Sequence, residues 1–324
     1  MISIIVPFYN PEQDSRLELL LGRAIASAAG QFGSDDEYEI IVVDDGSPEP
    51  PEAMKEFQDR HVSLIKAVHG RLGAARNRGI EASHGDIIAF LDADDYYFSN
   101  SLKQCLQAME MHDADLLQFS FRECRGGKAA DTGTDDVHFS APVTGSGFMK
   151  SHTPFGSSCL YLIRRSLLAD NDLRFAENTF MEDEEFTPRL LFFSRRLVVS
   201  DAAVYAYCYR EGSITASISG SERAANTLHI MKLMQDFRQK HLSSDISGFE
   251  RKMRFVAMDC MRQTLRRPDW REAVPHVTSE MSAIGLWPPS CHAGYGIRYN
   301  LFTVMSRLQA GRFLLQLNER RYIR

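Results

Sequence analysis

Residues 38–47 read YEIIVVDDGS, and residues 86–95 read DIIAFLDADD. Each segment is a run of apolar residues, without polar alternation, that ends in two or three aspartates. Unbroken apolar runs are typical of strands that are buried on both faces of a parallel sheet. The run IIVPF at residues 4–8 has the same character near the start of the chain. The sequence therefore predicts a buried sheet with acidic residues where two of its strands end.

The first 120 residues alternate such runs with amphipathic segments. Strands are predicted at residues 2–8, 38–43, 62–68, 86–91 and 115–121, then at 159–163, 197–200 and 203–209. Helices are predicted at residues 17–29, 51–58, 72–83, 102–111 and 184–193. This alternation with short connections predicts an α/β fold, Rossmann-like, in which helices flank a mostly parallel sheet.

The chain becomes helical in its last third. After residue 217, apolar residues recur at helical spacing, as at Ile230, Met234 and Phe237. We therefore predict a sheet domain over residues 1–217 and a helical C-terminal region over residues 218–324.

The composition excludes several classes of protein. With 44% hydrophobic and 25% charged residues, the chain is neither a disordered tail nor a disulfide-rich miniprotein. The net charge is −6, but residues 251–324 carry 13 basic against 5 acidic residues, so the rest of the chain is strongly acidic. An acidic body argues against nucleic-acid binding, which needs a basic face.

The cysteines and the N-terminus predict where the protein works. Six cysteines without a CxxC pair indicate reduced thiols. No apolar segment approaches the roughly 20 residues of a membrane span, and no secretory signal is visible. We therefore expect a cytoplasmic location.

Five aspartates are expected to meet at one edge of the sheet: Asp44, Asp45, Asp92, Asp94 and Asp95. Carboxylates that crowd together raise one another's pKa, and a divalent cation relieves the repulsion. Hard oxygen ligands suit Mg²⁺ or Mn²⁺. The alternative is that each aspartate caps a turn or a helix. Three carboxylates in one turn exceed what a cap needs, which favours a metal–phosphate site.

A basic segment, RLGAARNRG at residues 71–79, lies between the two acidic clusters. It opens a predicted helix, whose first amides favour phosphate, and Arg76 adds a guanidinium group. The alternative is that Arg76 and Arg78 are solvated helix residues, which we favour for Arg78. The chain has no Walker loop, GxGxxG, GxSxG or HExxH motif, so common nucleotide-binding and hydrolase classes lack support.

Five motifs resemble, in the same order, those of family 2 glycosyltransferases, which are inverting enzymes of the GT-A fold. They are IIVPFYN at residues 4–10, VVDDGS at 42–47, AARNRG at 74–79, FLDADD at 90–95 and MEDEEF at 181–186. YREGSIT at residues 209–215 resembles the Arg-plus-Ser element that follows in many members. The resemblance covers about residues 1–217 and leaves the helical region unmatched.

The resemblance implies a nucleotide pocket. Pro7 and Tyr9 would line the nucleobase, with Tyr9 stacked on it. Asp45 would accept the imide N–H of a uracil or thymine. Arg76 and Asn77 would lie near the nucleotide.

The resemblance also implies roles in the reaction. Asp92 would face the ribose or the donor sugar and, with Asp94, the Mn²⁺ or Mg²⁺ ion that bridges the diphosphate. Asp183 matches the catalytic base of the family's Glu-Asp-x-x-Phe element, and the adjacent Glu182 is the alternative. Arg210 would contact the diphosphate or a neighbouring acid.

The function that the resemblance implies is metal-dependent, inverting glycosyl transfer. The donor would be a nucleotide-diphospho-sugar, expected to be UDP-linked, and the acceptor a hydroxyl of a saccharide or lipid-linked saccharide in surface polysaccharide synthesis. One alternative is a sugar-nucleotide nucleotidyltransferase, for which VPFYNPEQ at residues 6–13 lacks the Gly-rich basic loop. Another is a non-catalytic subunit that binds nucleotide or carbohydrate.

Residues 298–324 carry six arginines and one glutamate among apolar residues. A basic amphipathic segment can lie on an anionic membrane, which would make the enzyme peripheral on the inner face of the plasma membrane. The alternative is that it packs on the acidic domain or forms a homodimer contact, and we favour this alternative over the membrane.

Overall fold

The computed structural model describes residues 1–33, 38–57, 61–124, 137–210 and 218–307. The chain divides into two compact units. The first comprises Met1–Gly145 and Gly156–Ala216, and the second comprises Ser146–Phe155 and Ser217–Arg324. The short segment Ser146–Phe155 therefore belongs with the helical unit, although it lies far from it in the sequence.

The first unit contains one sheet of eight strands within its described residues. The strands are β1 (Ile2–Phe8), β2 (Tyr38–Asp44), β3 (Val62–Lys66), β4 (Ile87–Phe90), β5 (Tyr96–Tyr97), β6 (Leu116–Cys124), β7 (Tyr161–Arg164) and β8 (Leu197–Cys208). Their order across the sheet is β3-β2-β1-β4-β7-β6-β8-β5.

The pairing is mixed. Four of these seven neighbouring pairs are parallel, and the three that involve β5 or β7 are antiparallel. The prediction of a mostly parallel sheet is confirmed. The strand predicted at residues 159–163 corresponds to β7, but its antiparallel direction and the short strand β5 were not predicted. The two short strands predicted at 197–200 and 203–209 form the single strand β8, with register shifts where it pairs with β6.

The helices of the first unit are α1 (Ser15–Ala29), α2 (Arg71–Ala82), α3 (Ser101–Met111), α5 (Arg165–Ala169) and α6 (Glu182–Phe193), whereas α4 (Gly145–Ser151) lies in the second unit from its second residue onward. The helix predicted at residues 51–58 is wrong in length, since only a 3₁₀ turn at Glu52–Lys55 forms. Pro51, the residue at the N-cap, makes no side-chain capping hydrogen bond, so a longer helix here would lack the cap that stabilises its first turn.

The second unit contains α7 (Gly220–Lys240), α8 (Ser247–Arg266), α9 (Trp270–Ala283) and α10 (Ile297–Arg307). The predicted C-terminal helices are therefore confirmed. Lys252 of α8 is buried and donates to the carbonyl oxygen of Pro154 at 3.0 Å, which ties the segment Ser146–Phe155 to this unit. None of the helices in the described ranges combines the length and apolarity that a membrane crossing needs.

The register of the central strands aligns the carboxyl ends of β1, β2 and β4. Phe8 of β1 lies opposite Asp44 of β2, and Ile5 of β1 lies opposite Phe90 of β4. The chain therefore leaves all three parallel strands at one edge of the sheet, carrying Tyr9 and the aspartates that follow β2 and β4 to that edge. In open α/β sheets this edge is where ligands bind.

Helix α2 packs closely on β1 because it carries glycine at the contact. A Cβ added to Gly79 would overlap Cγ2 of Ile5, whose side chain is fully buried. In contrast, a Cβ on Gly22 of α1 would approach only Cβ of Ala53, at 4.0 Å. The two helical glycines thus differ in whether a methyl group fits.

We expect Gly79→Ala to destabilise the protein by about 1–3 kcal/mol, the usual cost of overpacking. Gly22→Ala is the matched control and should stabilise it by about 0.5–1 kcal/mol, because alanine is the better helix former. Urea denaturation measures both free energies of unfolding. A stabilised Gly79→Ala variant would contradict the close contact between α2 and β1.

Candidate functional site

The candidate site lies in the first unit, at the carboxyl ends of β1, β2 and β4. Tyr9 follows β1, Asp45 follows β2, and Asp92 and Asp94 follow β4. Pro7 lies within β1, buried and opposite Val43. The structure therefore brings these residues together at the edge of the sheet that the sequence predicts.

One end of the site is a small aromatic and acidic pocket. Tyr9 is 41% exposed, and its ring stacks on the imidazole of His69 with 4.4 Å between the centroids. Nδ1 of His69 lies 2.9 Å from Oδ2 of Asp45, and the backbone N–H of Gly70 donates to Oδ1 of Asp45 at 2.9 Å. Burial raises the pKa of Asp45, while the contacts with Gly70 and His69 lower it.

Asp44 is a turn residue, as the capping alternative predicts. It is buried, and its Oδ1 accepts the backbone N–H of Ser47 at 3.0 Å. The hydroxyl of Ser47 accepts the backbone N–H of Asn10 at 2.9 Å, which joins this turn to the end of β1. Gly46, which lies between Asp44 and Ser47 in the chain, has φ +89°, a conformation that favours glycine.

Arg76 is the centre of the acidic half of the site. Its side chain is fully buried, and Nη1 donates to Glu182 Oε1 at 2.6 Å and to Asp183 Oδ1 at 3.2 Å. Nη2 donates to Asp92 Oδ1 at 2.9 Å. One guanidinium group thus links Asp92, shortly after β4, to the first turn of α6.

These charges perturb one another strongly. Burial raises the pKa of Glu182 and of Asp183, while Arg76 acts in the opposite direction. Burial disfavours the charge on Arg76, but the nearby carboxylates outweigh it and raise the Arg76 pKa. Asp183 keeps 17% of its side chain exposed against 5% for Glu182, so Asp183 is the more accessible acid.

Asn77 uses its amide within the protein. Its Oδ1 accepts the backbone N–H of Phe175 at 2.8 Å, and its Nδ2 donates to the carbonyl oxygen of Phe175 and to Glu177 Oε1, each at 3.0 Å. Asn77 therefore holds the chain that leads towards α6. Its expected position near a nucleotide stays a prediction.

Asp94, two residues after Asp92, pairs with a different arginine. Nε of Arg210 donates to Asp94 Oδ2 at 3.3 Å, so Arg210 contacts an adjacent acid, one of the two interpretations of the sequence. Nη2 of Arg23 donates to the carbonyl oxygen of Asp94 at 2.5 Å. The rest of the motif after Arg210 lies outside the described residues.

Two residues of this site, His69 and Tyr205, were not singled out from the sequence, and Tyr205 contacts Asp95, one of the five predicted aspartates. The hydroxyl of Tyr205 donates to Asp95 Oδ2 at 2.6 Å and accepts the backbone N–H of Asp92 at 3.2 Å. Burial, with Asp92 and Asp94, raises the pKa of Asp95 to about 8. The alternation of Tyr205 with Tyr207 indicated a strand but not this link, because its partners lie about a hundred residues away in the chain.

The aspartates suit a cation only together with other ligands. Among the described residues, no group of three or more His, Cys, Asp or Glu side chains is arranged to hold a metal ion. Asp94 is partly exposed, and burial and the Asp92 charge raise its pKa, a penalty that a cation would relieve. Mg²⁺ is commonly held by one or two carboxylates plus substrate phosphates. The donor set fits a cation shared with a diphosphate.

Comparison with known families adds to this geometry. Residues 3–171 match the family described as Glycosyl transferase family 2, which is just over half of the 324 residues. The chain belongs to glycosyl transferase family 2. The motifs that resemble this family in the sequence lie in its matched part, except for those at residues 181–186 and 209–215.

Individual relatives of this family 2 chain are distant. It is 28% identical over 221 residues to the poly(ribitol-phosphate) beta-N-acetylglucosaminyltransferase TarS of Staphylococcus aureus, which covers 66% of the chain and 37% of TarS. It is 26% identical over 267 residues to the putative glycosyltransferase EpsH of Bacillus subtilis, covering 79% of the chain and 69% of EpsH. The chain thus spans about a third of the length of TarS and two thirds of that of EpsH.

Solved structures agree on the fold. The crystal structure of S. aureus TarS 1–349 in complex with UDP-GlcNAc superposes with a TM-score of 0.58 at 22% identity, covering 87% of this chain and 90% of that one. A structure of TarS gives a TM-score of 0.60 at 18% identity, covering 96% of this chain and 54% of that one. The family 2 chain therefore has the GT-A fold, with helices at its C-terminal end.

We expect Arg76→Met to destabilise the protein by about 3–5 kcal/mol, because it leaves buried carboxylates without their counter-charge. Arg78→Met is the matched control, since Arg78 lies on the same helix and, within the described ranges, donates to the carbonyl oxygen of Val68 and to no carboxylate. That variant should change the free energy of unfolding by less than about 0.5 kcal/mol. Equal effects of the two variants in urea denaturation would contradict the central role of Arg76.

Proposed function

We propose that the protein is an inverting glycosyltransferase that moves a sugar from a UDP-linked donor to a hydroxyl of a growing surface polysaccharide. The observation that carries this proposal is the link through Arg76 between Asp92, on the donor side, and Asp183, the candidate base. Membership of family 2 supports the reaction class.

The donor assignment rests on the pocket of Tyr9 and Asp45. An exposed aromatic ring beside a buried carboxylate suits a flat nucleobase that presents an N–H to Asp45. Two of the similar TarS structures are complexes with UDP-GlcNAc and with UDP, which supports a uridine donor here.

The chemistry requires a base and a stabilised leaving group. Asp183 would take the proton of the acceptor hydroxyl, whose oxygen attacks the anomeric carbon while the bond to the diphosphate breaks on the opposite face. A single displacement of this kind inverts the anomeric centre. Arg76 would hold the carboxylate of Asp183 in place, and Asp94 would hold the Mn²⁺ or Mg²⁺ ion. Such an ion supplies charge neutralisation for the leaving diphosphate.

Asp183 is a better candidate for the base than Glu182. Glu182 is almost fully buried and makes the shorter contact with Arg76, so it suits a structural role. Asp183 makes the longer contact and is more accessible to an acceptor.

The acceptor is proposed from the relatives. TarS and a further relative, the poly(ribitol-phosphate) beta-glucosyltransferase of Bacillus spizizenii, carry names that specify polymer acceptors; the second is 26% identical and covers 64% of this chain and 32% of that one. A saccharide or lipid-linked saccharide acceptor, a cytoplasmic location, a peripheral membrane contact and a homodimer stay proposals. Most of the basic tail, residues 308–324, lies outside the described residues.

The rival functions differ in what they need. A sugar-nucleotide nucleotidyltransferase would release diphosphate from a nucleoside triphosphate, and family membership argues against it. A non-catalytic subunit would bind a nucleotide or carbohydrate without turnover, and it would not need the side chain of Asp183 to be accessible to an acceptor.

We expect UDP to bind with Mn²⁺ and to lose at least about tenfold in affinity with EDTA, because the cation would be held by Asp94 and would neutralise the charge of the diphosphate. Asp94→Asn should show the same loss with Mn²⁺ present, in calorimetric titration. Asp113→Asn is the matched control, since that aspartate is 89% exposed and lies away from the site. Unchanged UDP binding by Asp94→Asn would refute the metal assignment.

We expect Asp183→Asn to lower the transfer rate by about 10²–10⁴-fold, the usual contribution of a general base, while UDP binding is retained. The measurement is UDP release from a panel of UDP-sugars with polyol-phosphate polymers and oligosaccharides as acceptors. Glu182→Gln is the comparison variant and should act mainly on stability. A larger rate loss in Glu182→Gln, with the fold intact, would make Glu182 the base.

A further inference from the structure

We propose that His69 occupies the nucleobase position of the donor-free protein and is displaced when the base of the donor binds. The inference rests on the proposed function, since it takes Tyr9 and Asp45 as the residues that hold a uracil-like base. It adds a third residue to that pocket, one that competes with the ligand for both of its partners.

The first observation is that His69 uses both features of the pocket at once. Its ring stacks on Tyr9 at 4.4 Å between centroids and 25° between planes. Its Nδ1 lies 2.9 Å from Asp45 Oδ2 and 3.0 Å from the carbonyl oxygen of Asp45. A flat ring that stacks on Tyr9 and reaches Asp45 therefore already fills this place.

The second observation concerns the proton. A carbonyl oxygen can only accept a hydrogen bond, and an ionised carboxylate can only accept as well. Nδ1 of His69 must therefore carry the hydrogen and donate it towards Asp45. The imide group of uracil also presents a ring N–H beside a flat π-face. Imidazole and uracil thus offer Tyr9 and Asp45 the same two interactions, and only one of them can have both.

The third observation is that the ring can leave while the backbone stays. The imidazole is 48% exposed, so rotation of the side chain moves it into solvent. The backbone around it is held, because Gly70 donates to Asp45 at 2.9 Å and a Cβ on Gly46 would lie 2.9 Å from the backbone nitrogen of His69. Asp45, 5% exposed, stays in position to receive the next donor.

Displacement has a measurable consequence. A ligand that binds only the open form has its apparent affinity reduced by the fraction of protein that is open. If the ring fills the pocket in most molecules, its removal should lower the Kd of UDP by about three- to tenfold. Ligands that do not enter the base position should be unaffected.

The test is calorimetric titration of UDP and of pyrophosphate, each with Mn²⁺, into the wild-type protein, His69→Ala and His84→Ala. His84 is the matched control, because it is 78% exposed and pairs with Glu39, not with residues of this pocket. Circular dichroism checks that the variants are folded. Ring signals of ¹³C-labelled histidine, with His69 assigned by its absence in His69→Ala, report whether the imidazole changes environment.

We expect His69→Ala to bind UDP about three- to tenfold more tightly, with pyrophosphate affinity unchanged and His84→Ala equal to wild type. The His69 signal should shift with UDP and not with pyrophosphate. If wild type binds UDP and His69→Ala binds it equally or less tightly, the displacement is refuted while the donor assignment stands. If neither protein binds UDP, both the donor assignment and this inference are wrong.

Discussion

The buried guanidinium of Arg76 constrains the whole acidic edge of the first unit. Its three carboxylate partners come from the end of β4 and the start of α6, about a hundred residues apart in the chain. A buried charge needs its counter-charges, because removing one partner of a buried pair costs about 3–5 kcal/mol. Nη1 and Nη2 of Arg76 meet theirs only when Asp92, Glu182 and Asp183 converge on them. The same contact that folding demands therefore assembles the proposed donor and acceptor sides of the site.

The position of Arg76 depends in turn on how closely α2 approaches the sheet. Gly79 lets the helix lie directly on Ile5 of β1, where any larger residue would push it outwards. Asn77, next to Arg76, forms hydrogen bonds with the backbone of Phe175 through both the oxygen and the nitrogen of its side-chain amide. These bonds hold the segment leading to α6 at the distance at which Glu182 meets Arg76. The close packing of Gly79 on β1 and the hydrogen bonds of Asn77 therefore both help to fix the position of Arg76.

The sequence predicted what depends on neighbouring residues and missed what depends on distant ones. The unbroken apolar runs identified β1, β2 and β4, and their acidic ends identified the edge where the site lies. The sequence predicted a strand where β7 lies but not its antiparallel direction, and it missed β5, because strand pairing is set by partners elsewhere in the chain. Tyr205 was missed for the same reason, since its bond to Asp95 joins segments that are far apart in the sequence. His69 carries no motif, and only its ring position beside Tyr9 indicates a role.

Arg76 and Arg210 contact different carboxylates of the acidic edge, and they differ in how deeply they are buried. Arg76 is sealed from water, so its contacts with carboxylates are permanent while the protein stays folded. Arg210 is 35% exposed and meets Asp94 at 3.3 Å, and exposed pairs of this kind contribute only about 0–1 kcal/mol. Asp94 can therefore exchange Arg210 for a stronger partner at little cost, whereas Asp183 cannot leave Arg76. In the proposed reaction this separates a fixed acid for proton transfer from an exchangeable acid for the cation, although both belong to one cluster of like charges.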